Sequence, residues 1–430
     1  MLARTDLRGF SGPFEPLLAA GTRGDDPDVA GAVREIIAAV RDRGDAALRD
    51  LTERFDGCRI QNIRVPHEAC AAALDRIDPD LVLALEFARD QILAWHEAQR
   101  TNEARHERSG ISVRELIVPV GRAGCYVPGG RAVYPSSVLM TAVPARVAGV
   151  PEVALCVPPA DGGLVPDATL AAAAIAGVDE VYRVGGAQAI AALAYGTESI
   201  APVDVIVGPG NQFVTEAKRQ VFGHVGIDAL AGPSDVAIIA DDSVDPELVA
   251  ADLLAQAEHG PGGGAVVISW HESVLAQVDR ALEQLVVNTP RRGDAEATLT
   301  LGGRAFLVDG PDAAIDVANA IAPEHLQLMC ENADMLVLSV RNAGAVFVGS
   351  DSPAVLGDYA AGVNHVLPTG GAARFASALQ VSSFQKRVHV VTADADALAR
   401  VAPYVTLLAD TEGLAAHAAS IRLRESRRKP

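Results

Sequence analysis

Apolar positions in the first hundred residues recur at three- and four-residue steps. The stretches DVAGAVREIIAAVRDRGDAALRDLTERF and PDLVLALEFARDQILAWHEAQR both carry this spacing, which gathers their apolar side chains on one helical face. The period then changes. From ISVRELIVPVGRAGCYVPGG onward, short strand-like runs alternate with helical ones: EVALCVPP, ATLAAAAIAG, EVYRVGG, AQAIAALAYG, VDVIVGPG and NQFVTEAKRQVF. The alternation continues through SDVAIIAD, PELVAADLLAQAEHG, GAVVISW, ESVLAQVDRALEQLV, RAFLVDG and AAIDVANAIA to a strand pair, MLVLSV and GAVFVG. Such alternation predicts parallel sheets with crossover helices, and there are enough units for two sheets. Turn-rich CYVPGG and LAGPSD break the pattern near Tyr126 and Gly232 and mark boundaries. The expected division is an N-terminal segment 1–25, a discontinuous α/β domain of 26–125 and 236–378, a second α/β domain of 126–235, and a C-terminal segment 379–430.

Composition narrows the class. A chain of 430 residues exceeds one ordinary core, and its 49% hydrophobic content is broken up by 39 Gly and 25 Pro. No run approaches the roughly eighteen apolar residues of a membrane span. The start, MLARTDLRGF, lacks the basic leader and apolar core of a secretory signal, so a cytoplasmic protein is expected. With 36 Lys and Arg against 55 Asp and Glu, the net charge of −19 repels phosphate backbones and anionic lipid, which argues against nucleic acid and membranes as partners. The basic run RLRESRRKP is expected to solvate a final helix. Cys58, Cys70, Cys125, Cys156 and Cys330 form no CxxC pair, so they are expected as buried, reduced residues.

Candidate chemistry sits where the pattern ends abruptly. In LLAQAEHGPGGG, Gln256, Glu258 and His259 crowd the last turn of an Ala-rich helix that Gly260 and Pro261 terminate. Gln256 and His259, three apart, share a face and could contribute two metal ligands, with Asp358 of GDYAAGVNH and His417 of GLAAHAASIR as others. Two imidazoles, a carboxylate and an amide oxygen would suit zinc, although a lone His on an Ala-rich helix is also an ordinary structural residue. Glu324 and His325 in Pro323-Glu324-His325-Leu326 put a carboxyl beside an imidazole, the groups of acid–base catalysis. In a regular strand they would face opposite ways, so a shared pocket requires an irregular backbone, for which Pro323 is suited. Two glycine turns, at Gly185-Gly186 with Gln188 and at Gly208 and Gly210 with Asn211, read either as nucleotide-binding loops or as tight turns. Neither is GxGxxG. In PGGRAVYPSSVLM, Ser136 or Ser137 is expected as a helix cap.

Taken together, YVPGGRAVYPSSVLM, VGGAQAIAALAYGTES, VGPGNQFVTEAKR, IDALAGPSD, ADLLAQAEH, APEHLQL, GDYAAGVNHVLPTGG and EGLAAHAAS resemble, in this order, the zinc-dependent histidinol dehydrogenase family, whose members catalyse the last step of histidine biosynthesis. The likeness covers nearly the whole chain. The fold class it supports is α/β: two Rossmann-like parallel-sheet domains without the GxGxxG fingerprint, a short N-terminal segment and a C-terminal helical appendage. It implies one Zn2+ per subunit held by Gln256, His259, Asp358 and His417, and NAD contacts at Tyr126, Gln188 and Asn211. Glu324 and His325 become the acid–base residues, and Ser234 and Glu412 join His325 and the metal ligands as substrate contacts, with His365 lining the same pocket. It further implies a homodimer in which Glu412 and His417 complete the partner's site.

The implied reaction is a four-electron oxidation of L-histidinol through L-histidinal to L-histidine with two NAD turnovers. The chain departs from the family pattern at Asp235, Gly260 and Gln327, where Glu, Asp and Glu are common, and at Ala354, where many members carry Glu. These departures leave open a dehydrogenase of the same scaffold acting on another small polar alcohol. A zinc hydrolase with Glu324 as base, or a ligand-binding protein without catalysis, are the alternatives from other classes.

Overall fold

The computed structural model describes residues 1–14, 27–130, 132–260 and 262–427. Arg131 of the PGGRAVYP turn, Pro261 of the helix-ending run, the last three residues of the basic terminus and residues 15–25 of the expected N-terminal segment lie outside the described residues. The chain divides into one unit of residues 1–99 and 121–384 and another of 100–120 and 385–430.

The first unit contains two parallel sheets. Five strands run in the order Glu180–Tyr182, Glu152–Cys156, Arg122–Tyr126, Val205–Val207, Gly226–Ile227. Six run in the order Ala3–Asp6, Gly303–Leu307, Gly264–Ser269, Asp235–Ala240, His325–Met329, Ala345–Val348. In each, the chain leaves a central strand toward one edge and later resumes on that strand's other side, giving a topological switch point beside Arg122–Tyr126 and beside Asp235–Ala240. The strands are apolar on both faces because helices cover both. Val236, Ile238 and Met329 pack under Val249 and Leu253 of the Pro246–Ala257 helix. Ala237, Ile239, Leu326 and Leu328 pack on the opposite side with Ile315 and Val317 of the Pro311–Ile321 helix.

The chain is distributed differently from the expected division. The helices between residues 27 and 98 cover the five-stranded sheet: Val33, Ile37 and Leu48 share a core with Ile190, Leu193 and Val214. They were expected with 236–378; amphipathic spacing defines an apolar face but not its partner. Arg122–Tyr126 also belongs to this sheet, and Ala3–Asp6 pairs in parallel with Gly303–Leu307 as an edge strand of the other sheet. Met335 to Val340, expected as a strand, instead runs out of the short helix Ala333–Val337, with Met335 and Leu338 exposed. An aliphatic run this short fits either state.

The second unit is built on an antiparallel sheet that the pattern did not show. Gln385–Ala393 pairs with all of Ile111–Pro119, which also pairs with Arg105–Arg108, and two helices follow, Ala395–Thr411 and Ala415–Ser426. Residues 379–384, expected in the C-terminal segment, belong to the first unit, where Val381 and Phe384 are buried. Among the described residues no helix is long and apolar enough to cross a membrane. Among the described residues none of the five cysteines forms a disulfide, and four are buried.

Candidate active site

At the amino edge of the six-stranded sheet, the first residues of two neighbouring strands interlock. The Glu324 backbone N–H donates to Asp235 Oδ1 at 2.8 Å, and the Asp235 N–H donates back to Glu324 Oε2 at 3.1 Å. The Ser234 hydroxyl also donates to Glu324 Oε2. The irregular backbone that the sequence required is present: Ala322, which ends the Pro311–Ile321 helix, has φ +52°, and Pro323 follows. This turn brings the two neighbouring side chains together, with His325 Nδ1 3.7 Å from Glu324 Oε2 and both residues buried. His325 Nδ1 lies 3.3 Å from the Asp235 carbonyl oxygen, which can only accept. The ring proton therefore sits on Nδ1 and leaves the Nε2 lone pair as the base.

Burial dominates the electrostatics. It pushes Glu324 up to about 8 against the opposing hydrogen bonds from Ser234 and Asp235, and the Asp358 charge adds to the rise. It pushes Asp235 up to about 7 and moves His325 down, so the imidazole stays neutral. A free glutamate ionises near ~4.3. Between that pH and about 8 the folded chain binds more protons at Glu324 than the unfolded chain, so stability declines as pH rises. The metal-free protein is expected to melt at lower temperature at pH 8 than at pH 5, with a shallower decline in Glu324→Gln. Calorimetry at a series of pH values checks this; identical slopes for the two proteins would contradict it.

The Pro246–Ala257 helix delivers Gln256 and His259 to the same edge. His259 Nδ1 is 3.1 Å from the Gln256 carbonyl oxygen, which orients the ring and leaves Nε2 available. The Gln256 side chain is buried, and its Nε2 position has no hydrogen-bond partner among the described residues. Because the two ends of an amide are interchangeable in assignment, the unpartnered end can be an oxygen directed at a cation. Asp358 comes from the Ala354–Tyr359 helix, and its charge acts on Glu324, His325 and His365. Among the described residues no three His, Cys, Asp or Glu side chains close up as a metal-binding group. The expected ligand set accounts for this: one donor is an amide and His417 lies in the second unit, which leaves His259 and Asp358. Imidazole, carboxylate and amide donors with open positions fit zinc. Glu412 and His417 are both exposed, at the end of one helix of the second unit and the start of the next.

The expected nucleotide residues gather at the carboxyl edge of the five-stranded sheet. The Tyr126 hydroxyl accepts from the Gly186 N–H at 3.1 Å and so braces the VGG turn, while Gln188 is buried behind it. Gly208 has φ +117°, and a Cβ there would lie 2.0 Å from the Tyr126 carbonyl oxygen, so only glycine fits. Its N–H donates to Asp228 at 2.7 Å and its carbonyl accepts from Lys218 Nζ at 2.8 Å; Lys218 and Asp228 form a buried ion pair beneath the loop. Asn211 Oδ1 caps the Gln212–Val221 helix, accepting from the Phe213 and Val214 N–H groups. The two edges meet through His365, whose Nδ1 is 3.3 Å from the Asp358 carbonyl oxygen and whose Nε2 is 3.2 Å from Ser137 Oγ. Ser137 lies inside the Pro135–Ala148 helix, which Tyr134 precedes without a side-chain cap, so neither serine is the expected cap.

Sequence reasoning missed Asp56 and named Gln327 only as a departure from the family pattern. Asp56 ends the Asp45–Asp56 helix near Tyr126, with one carboxylate oxygen unpartnered among the described residues and its pKa pushed up to about 6 by burial. Gln327 lies beneath the site, buried on the same strand as His325. Asp56 belongs to no local motif, whereas Gln327 lies within APEHLQL as a polar residue in an apolar strand.

A doubly wound sheet with tight glycine loops at its carboxyl edge, set against a buried carboxyl–imidazole pair on a second sheet, defines an α/β enzyme of the oxidoreductase class. The sequence pattern of histidinol dehydrogenase matches residues 21–425. Histidinol dehydrogenase of Synechococcus sp. is 50% identical over 398 residues, 92% of each chain, and that of Gluconobacter oxydans is 47% identical over 424 residues, 98% of each. The crystal structure of histidinol dehydrogenase from Elizabethkingia anophelis superposes with a TM-score of 0.94 at 34% identity, covering 98% of each chain. The chain belongs to the histidinol dehydrogenase family, a family of NAD-dependent oxidoreductases of histidine biosynthesis.

Proposed function

We propose that this chain oxidises L-histidinol through L-histidinal to L-histidine, using two NAD and one zinc ion per subunit, as a cytoplasmic homodimer. The observation that carries the proposal is the buried Glu324–His325 pair, with Gln256, His259 and Asp358 converging on the same sheet edge. Family membership sets aside the hydrolase and the non-catalytic binder. Cysteines without disulfides among the described residues suit a reducing compartment.

Zinc, held by Gln256, His259, Asp358 and the partner-supplied His417, would fix the amine and imidazole of the substrate and so orient the reacting carbon. NAD, bound over the Tyr126, Gln188 and Asn211 edge, would accept the hydride in each oxidation. His325 Nε2 takes the alcohol proton as hydride leaves the carbon. Glu324, once ionised, takes a proton from water as it adds to the aldehyde, and Ser234 and the Asp235 N–H hold the carboxylate in place for that transfer. Burial of both residues excludes bulk water from the aldehyde stage. Tyr404, Leu407 and Leu408 are exposed on the Ala395–Thr411 helix, an apolar surface that supports an interface with a second copy.

The expected result for zinc-loaded protein is two NADH per L-histidinol, with L-histidine as the product by mass spectrometry. Turnover should vanish on chelation and return with zinc. Turnover of another small polar alcohol with none of histidinol would overturn the substrate while leaving the reaction class intact.

A further inference from the structure

We propose that Gln327 is a positioning residue, a strut that fixes Gln256 and Asp358 relative to His325; this rests on the reading that Gln256 and Asp358 hold zinc. Strand alternation puts His325 and Gln327 on one face of His325–Met329. The Gln327 side chain is 1% exposed, so its amide must be satisfied within the protein. Its Nε2 donates to Asp252 Oδ2 at 2.7 Å, and its Oε1 accepts from the Ala354 backbone N–H at 3.4 Å. Asp252 lies one helical turn before Gln256 on the Pro246–Ala257 helix. Ala354 opens the Ala354–Tyr359 helix, which ends with Asp358 and Tyr359. One buried amide thus joins the strand carrying the base to both helices carrying first-unit ligands.

The chemistry of the two neighbours fixes the amide's direction. A carboxylate can only accept and a backbone N–H can only donate, so the side chain at 327 must donate at one end and accept at the other. Glutamine does both. Ionised glutamate would set its charge against Asp252, and leucine would leave the carboxylate and the N–H unpartnered in the interior. One end of the Gln256 amide has no partner among the described residues, so the placement of that side chain depends on where the helix stands.

The test measures zinc affinity of the full-length protein by competition with a chromogenic chelator, zinc being the only added ligand, with melting of the metal-free protein as a check on folding. Gln327→Glu and Gln327→Leu are each expected to weaken zinc binding by about tenfold or more, the scale for residues that orient metal ligands. Adding Asp252→Asn to Gln327→Glu lets the amide at 252 donate to the carboxylate at 327, which still accepts from the Ala354 N–H, so affinity should return to near wild type. This double variant keeps the test decisive if Gln327→Glu alone fails to fold. Unchanged affinity in folded single variants, or no recovery in the double variant, overturns the strut. A wild-type protein that takes up no zinc overturns the ligand assignment, and the strut's role with it.

Discussion

His325→Asn is expected to lower kcat for histidinol about a thousandfold, within the range for losing a positioned general base. The neutral imidazole is held with its proton on Nδ1, toward the Asp235 carbonyl, and asparagine offers no basic nitrogen at the Nε2 position. Glu324→Gln should behave differently. The glutamine oxygen can still accept from Ser234 and the Asp235 N–H, so the local geometry is kept while the proton acceptor for water is lost. The first hydride transfer then continues and the second slows, giving a burst of one NADH per site and accumulation of the aldehyde. Rapid-mixing absorbance of NADH with product mass spectrometry separates the two variants. Equal loss of both oxidations in Glu324→Gln would remove the division of labour, and near-normal turnover in His325→Asn would remove the base.

The second large effect concerns the shared site. Homodimers of His325→Ala or of His417→Ala should each be inactive. If His417 serves the partner's pocket, a hybrid dimer has one site with both defects and one with neither. Random exchange in an equal mixture gives hybrids in about half of the dimers, so about one quarter of wild-type activity is expected to return. Mixtures that stay inactive while the parents demonstrably exchange subunits would place His417 in the site of its own chain. His417 is exposed on the Ala415–Ser426 helix, and its neighbour Ala418 is that helix's buried residue.

Elements with a strong period were legible in the chain. The Pro246–Ala257 and Glu272–Val286 helices and the strands Gly264–Ser269 and Val205–Val207 fall where apolar spacing and turn residues place them. Reading was weakest where two states satisfy the same local pattern, as for Met335 to Val340, or where a strand's partner lies far away, as for Gln385–Ala393 against Ile111–Pro119. The same limit applies to the site. Glu324 and His325 are neighbours in the chain, yet their sharing a pocket depends on the turn at Ala322, and Gln327, a mere departure from the family pattern in the sequence, gained a role only through the two helices it bonds.

The sequence alone determined the alternation of strands and helices, the chemical types available for catalysis and the helix end that presents Gln256 and His259. These follow from steric and solvation preferences acting over a few residues. Only the tertiary structure decided which sheet the first hundred residues cover. It likewise decided that the acid–base pair opens one strand at an amino edge beside Asp235, which opens the next, and that Asp235 and Glu324 each donate a backbone N–H to the other's carboxyl. Those outcomes depend on which apolar faces meet and which buried polar groups find partners, and contacts between residues as far apart as the 89 positions from Asp235 to Glu324 leave no periodic trace in the chain.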